Sequence, residues 1–215
     1  MIVRLLFLII IAVVFAATNY QQPTQSSAVV LIRTANTLGT AFHIGEGLFL
    51  TAEHNVPPDT PLSLFQGWGS HSLGIPTIVW ADNPNDVALL ALPVTPDISA
   101  LKLACRTPIY GEPIRINGFA SGRLLVTVWG NIAGGVNKRG HVPIDATIDR
   151  GMSGSPVLDE RGRVVGLLQL VLSQNFLTAR MRQLTLIKDY GFIRPADQIC
   201  DLMTEHVDVS GVASS

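Results

Sequence analysis

The hydrophobic pattern changes character near residue 17. Before that point Arg4 precedes an unbroken apolar run, Leu5 to Ala17; beyond it the apolar residues come in short runs, among many Gly and Pro residues. Ala28 to Ile32, rich in β-branched residues, predicts a strand. Gly39 to Ile44 and Leu48 to Ala52 flank Gly45-Glu46-Gly47 and predict a hairpin. Further strands are predicted at Leu62 to Phe65, Pro76 to Trp80 and Val87 to Leu92. After Pro93 to Pro108, which reads as a linker, a second series begins: Ile114 to Phe119, Arg123 to Trp129, Ile144 to Ile148, Val157-Leu158, Arg163 to Leu168, Leu184 to Ile187 and Gly191 to Ile193. Gly130 to Gly140 reads as a flexible connection. Only Ile199, Leu202 and Met203 fall at helical spacing, predicting one helix from about Pro195. No repeat of fixed period is present, but two clusters of roughly six strands predict an all-β protein built from two halves.

Composition narrows the function more than the fold. A chain of 215 residues can bury a proper core as one large domain or two small ones. A net charge of -1, without runs of like charge, offers no basic field and excludes nucleic acid as a partner. Arg4 and the apolar run fit a secretory signal, with Val14 and Ala16 suited to a cut after Ala16; an uncleaved membrane anchor is the alternative. The strongly apolar part stops at Ala17, short of the ~20 residues that a spanning helix needs, so export is expected either way. The expected division is therefore signal or anchor 1–17, linker 18–27, amino-terminal half 28–100, carboxy-terminal half with the helix 101–208, and a tail 209–215. Contact with a membrane would come only through the first segment. Export permits a disulfide between Cys105 and Cys200, two unpaired buried thiols being the other reading. Paired, they would close a loop of about 95 residues and stabilise the fold by roughly 4 to 5 kcal/mol. The five histidines and two cysteines have no zinc-site spacing, and neither metal nor cofactor is expected.

The candidate chemistry lies where predicted strands end. Gly151-Met152-Ser153-Gly154-Ser155-Pro156 sets a serine among glycines, a pattern that ordinary turns also use. His54 follows a strand directly, and Pro57-Pro58 prevent that strand from continuing. His43 lies inside a strand pattern, and His71, His141 and His206 have no motif around them; all four read as structural. Asp86 touches the apolar run Val87 to Leu92, unlike Asp82, so its carboxylate is the one that can be carried into a buried place, where an imidazole N–H would suit it. A serine attacks well only if a base takes its proton, and the base works better with an acid behind it. The chain offers the three in the order His54, Asp86, Ser153, which is the order of chymotrypsin.

Three segments make the resemblance specific. Leu50-Thr51-Ala52-Glu53-His54, Asp86-Val87-Ala88-Leu89-Leu90 and Gly151-Met152-Ser153-Gly154-Ser155-Pro156 resemble the histidine, aspartate and serine segments of chymotrypsin-fold, trypsin-like serine peptidases. The bacterial HtrA-like and glutamyl-endopeptidase-like branches are the nearest in pattern, through Asp145 to Gly151 and Gly191 to Pro195. The likeness spans about residues 28 to 205, and the PDZ domain of full HtrA proteins is not expected in the residues that follow.

That resemblance implies two antiparallel six-stranded β-barrels with a carboxy-terminal helix, a site between the barrels and a polypeptide substrate. It implies His54 as general base and acid, Asp86 as its orienting partner, Ser153 as nucleophile with Ser155 the rival, and an oxyanion hole from the N–H groups of Gly151 and Ser153. Thr147 and the strand Leu168-Gln169-Leu170 would border the primary specificity pocket, where nothing acidic is evident, so a small or apolar side chain is expected there. Met152 replaces the aspartate that serves zymogen activation in trypsin-like enzymes, and Asn55 replaces a disulfide cysteine of the animal enzymes. A linker cysteine bridged to the last helix does occur in trypsin-like enzymes and favours the Cys105 to Cys200 pair. A peptidase-fold binding protein without catalysis, and an esterase using the same chemistry, are the rival functions.

Overall fold

The structure is a computed structural model that describes residues 27–67, 71–94, 96–171 and 191–212. The leader, most of the expected linker and the strand expected at Leu184 to Ile187 lie outside the described residues.

The amino-terminal half is one antiparallel sheet of β1 (Val29–Arg33), β2 (Leu38–Gly45), β3 (Leu48–Thr51), β4 (Ser63–Gln66), β5 (His71–Gly74), β6 (Thr77–Asp82) and β7 (Val87–Ala91), in the order β5-β4-β1-β2-β3-β7-β6. It curls into a half-barrel with seven strands, where a six-stranded barrel was expected. The additional strand is β5, whose His71-Ser72-Leu73-Gly74 carries no apolar alternation and is largely exposed, so nothing in its pattern announced it. The carboxy-terminal half is the expected closed six-stranded barrel, β8 (Pro113–Ala120), β9 (Leu124–Ile132), β10 (Val142–Asp145), β11 (Pro156–Leu158), β12 (Val164–Val171) and β13 (Gly191–Pro195). Gly130 belongs to β9 and not to the connection after it. A Cβ there would lie 2.3 Å from the Asp145 carbonyl oxygen, so glycine is what lets β10 cross so closely. A helix, α1 (Ala196–Val212), follows β13.

Strand alternation divides the apolar residues among three cores. Val30, Ile32, Phe49 and Leu90 fill the first sheet; Ile116, Ile144, Val157 and Ile193 fill the closed barrel. Their neighbours on the opposite faces, Leu31, Phe42, Leu50 and Leu89, join Phe119, Leu158, Leu167 and Ile199 in a third core that welds the halves together. This is why β1 and β7 read as continuous apolar runs: both of their faces are covered. The linker lies along β12, where Ala104 N–H donates to the Val164 carbonyl (2.8 Å) and Val164 N–H to that of Lys102 (2.9 Å). Cys105 and Cys200 form a disulfide that ties this linker to α1.

Candidate active site

His54 is presented by a single 3-10 turn, Glu53–Asn55, which begins where β3 leaves its sheet. Asn55 N–H donates to the Ala52 carbonyl (3.1 Å) and Val56 N–H to that of Glu53 (2.8 Å), and the two prolines that follow supply no further donors. Asp86 closes the turn Asn83 to Asp86, in which its N–H donates to the Asn83 carbonyl (3.2 Å) and Asn85 N–H to Asp82 Oδ1 (2.8 Å). The next residues, Val87 and Ala88, are wholly buried, so the start of β7 anchors the turn.

The carboxylate of Asp86 meets His54 three times. It accepts from the His54 backbone N–H (3.0 Å), and both of its oxygens lie at bonding distance from Nδ1, 2.9 and 3.0 Å. An ionised carboxylate only accepts, so Nδ1 carries the proton and Nε2 of the neutral ring is left with a lone pair. The Asp86 side chain is 26% exposed and that of His54 47%, so the carboxylate sits less deeply than its apolar neighbours suggested.

The Ser153 loop is held from both sides. On its own side Gly154 N–H donates to the Leu168 carbonyl (2.7 Å), and Ser153 Oγ donates to the Gln169 carbonyl (3.1 Å). From the amino-terminal half come Thr40 N–H and Asn55 Nδ2, each 2.9 Å from the Ser153 carbonyl that accepts them. Thr40 Oγ1 also donates to the Gly151 carbonyl (2.8 Å) and accepts from Phe119 N–H (3.0 Å). Gly154 has φ of +86°, and a Cβ on it would fall 2.0 Å from the Thr40 carbonyl oxygen, so only glycine fits between the halves. The carbonyl of Arg150 accepts from Ser121 N–H (2.6 Å). In a trans peptide C=O and N–H point opposite ways, so this bond turns the Gly151 N–H away from Ser121. Among the described residues neither Gly151 N–H nor Ser153 N–H is bonded to a backbone carbonyl.

The neighbouring positions sort themselves by burial. Ser155 is fully buried against Gly118, whereas Ser153 is half-buried. Met152 lies in the apolar core of the closed barrel, which is what an apolar residue in this place does. Thr147 is exposed and Leu168 buried; the side chain of Leu170 lies outside the described residues. The Gln169 side chain is 2% exposed and turned to the Asp86 turn, its Nε2 donating to the carbonyls of Asn85 (2.5 Å) and Asp86 (2.8 Å). A pocket could draw only on the backbone of residue 169. His43 packs inside the first half, with Nδ1 against the Ser99 carbonyl (3.1 Å), and His206 stacks on Trp80. Sequence reasoning treated Asn55 only as the site of an absent cysteine and did not single out Thr40 or Arg194. All three act through contacts between residues distant in the chain, and a lone polar residue in a strand or turn gives no sign of them.

Residues 39–167 match the trypsin-like peptidase domain, and the chain belongs to that family. Among solved structures, the Rv3671c protease of M. tuberculosis in its active form is similar over 82% of this chain and 79% of its own, with TM-score 0.66 and 21% identity. A serine endoprotease from Yersinia pestis is similar over 86% of this chain and 64% of its own, with TM-score 0.69 and 19% identity. Among curated proteins, the anti-sigma-I factor RsgI9 of Acetivibrio thermocellus is 27% identical over 172 residues, which are 78% of this chain but 22% of that protein. The chain thus spans about a fifth of that relative's length, and at these identities the structural likenesses establish the fold.

Proposed function

We propose that this chain is a serine endopeptidase that hydrolyses peptide bonds through an acyl-enzyme. In this reading Ser153 Oγ leaves the Gln169 carbonyl, turns to His54 Nε2, gives up its proton there and attacks the substrate carbonyl carbon. The oxyanion is received by the N–H groups of Gly151 and Ser153, and one such donor contributes about 3 kcal/mol to the transition state. His54 passes its proton to the leaving amine; water then enters, gives a proton to His54 and attacks the acyl carbon, and His54 returns that proton to Ser153 Oγ as the carboxylic product leaves. Asp86 holds the ring in the useful tautomer and offsets the imidazolium charge. The observation that carries this reading is the Asp86 carboxylate on His54 Nδ1, which leaves Nε2 as the acceptor that a serine needs. The substrate is a polypeptide, and the leader-like first 17 residues support an exported or membrane-tethered enzyme.

A second reading, a binding module of peptidase fold, has two observations in its favour. Ser153 Oγ rests on the Gln169 carbonyl, and the curated relative bears the name of an anti-sigma factor. A fluorophosphonate probe separates the two. We expect labelling of the folded protein that Ser153→Ala removes, and casein hydrolysis that disappears with it; folded protein that takes up no label, or takes it at Ser155, would overturn the peptidase. Peptide-library profiling then reads the side-chain preference.

A further inference from the structure

We infer that Arg194 is a positioning residue for the candidate site: from the carboxy-terminal half it holds the turn that carries Asp86 and places a fixed positive charge behind the Asp86–His54 pair. The inference rests on the peptidase reading above.

Arg194 lies on β13 and is 2% exposed. A guanidinium stays charged and can only donate, so burying one is costly unless its N–H groups are met. They are met by neutral acceptors: the Asn85 carbonyl from Nε (3.1 Å), the Arg139 carbonyl (3.1 Å) and Gln198 Oε1 (2.9 Å) from Nη1, and His141 Nε2 from Nη2 (3.1 Å). Among the described residues no carboxylate stands within ion-pair distance of it. The pocket is shaped around the head group: a Cβ on Gly140, which has φ of +77°, would lie 2.3 Å from Nη1. Of these acceptors, the Asn85 carbonyl leads directly to the site. It belongs to the peptide before Asp86, and Gln169 Nε2 donates to it as well. Asp86 has φ of +53°, a conformation that is strained for a non-glycine residue and persists only if its surroundings enforce it. Two buried donors from the other half do so.

The charge has its own effect. Asp86, and after it Asp82, are the negative charges that act on Arg194. On the other flank His141, with Arg139 beyond it, feels Arg194 and Asp86 with opposite signs. His141 must be neutral to accept at Nε2, so of this hydrogen-bonded pair only Arg194 brings a positive charge to the turn. A cation there offsets the pull of Asp86 on an imidazolium at His54. Without it, the Asp86 charge would act on His54 unopposed.

The test uses the full chain, with active sites counted by fluorophosphonate uptake. For Arg194→Met we expect kcat per labelled site to fall about 10- to 100-fold with KM within about threefold, and the acid limb of kcat/KM to move up by about half a pH unit or more. Arg194→Lys keeps the charge but loses the fork, so its acid limb should match that of the wild type while kcat still falls several-fold. A purely structural role would lower melting temperature and the count of labelled sites but leave the acid limb of the surviving enzyme unmoved. That result for Arg194→Met overturns the inference. Should Arg194→Met not fold, wild-type kcat per labelled site in Arg194→Lys overturns it instead. A wild type that takes no label fails the peptidase reading and this inference with it, whereas a labelled wild type with an unmoved Arg194→Met limb fails this inference alone.

Discussion

The Ser153 loop and the Asp86 turn are each held by the opposite half of the molecule, but by different means. The serine loop is gripped at short range, by the backbone and hydroxyl of Thr40, the amide of Asn55 and the close approach that Gly154 permits. The aspartate turn is reached at long range, by the buried side chains of Gln169 and Arg194. A backbone contact depends little on side-chain identity except where a Cβ intrudes, while a long side chain delivers both a bond and, for Arg194, a charge. The first grip should therefore break through sterics and the second through chemistry.

The largest effect on activity should come from Gly154→Ala. Its Cβ would meet the Thr40 carbonyl at φ of +86°, and strain plus overpacking should cost on the order of 3 kcal/mol and remove activity. Thermal melts and fluorophosphonate labelling check it; a normal melt with normal labelling would show that the serine grip is looser than its geometry. Cys200→Ser comes next. Opening the loop of 95 residues closed by the disulfide should lower stability by about 2 to 5 kcal/mol, read from denaturant titration with and without reductant. Third, Asn55→Ala and Gln169→Ala compare the two grips directly. Each removes a buried donor and should destabilise by about 1 to 3 kcal/mol. Asn55→Ala should act mainly on acylation, since it frees the Ser153 carbonyl, and Gln169→Ala on the pH profile; identical kinetic signatures would erase the contrast.

The smallest expected effect is a pH dependence. Burial first, then the Arg194 charge, holds the His141 imidazole below its ordinary 6.5. The unfolded chain then binds more protons than the folded one between that lowered value and 6.5. His141's contribution is present above 6.5 and is lost as pH falls from 6.5 towards the folded value. Glu112, held below 4.5 by its bond from Arg106, loses its contribution only as the pH falls below 4.5, under the range in which the His141 loss begins. Melting temperatures followed from about pH 7.5 to 5 should decline in the wild type and decline less in His141→Gln. Equal slopes would mean that His141 is not the group responsible.

Much of this was legible in the chain. Alternating short apolar runs carried most of the strands, because a strand covered on both faces must be apolar throughout. His54, Asp86 and Ser153 stood out because each sits where such a run begins or ends, the places from which side chains can be presented. β5 was not legible, since an exposed edge strand has no core to impose a pattern on His71 to Gly74. Nor was the commitment of Gln169, expected beside a pocket, to the carbonyls of Asn85 and Asp86.

By itself, then, the sequence determined the all-β class, the two halves and the family it resembles, and it singled out three candidate residues, all of which depend on local periodicity or short motifs. Tertiary structure alone decided that the first half curls without closing, that Cys105 meets Cys200, that Ser155 is fully buried and Ser153 only half so, and that a buried arginine stands behind Asp86. The physical reason is common to all four. Each is a matter of which distant backbone or side-chain group satisfies a polar atom or fills a space, and such pairings are settled only when the two halves pack on one another.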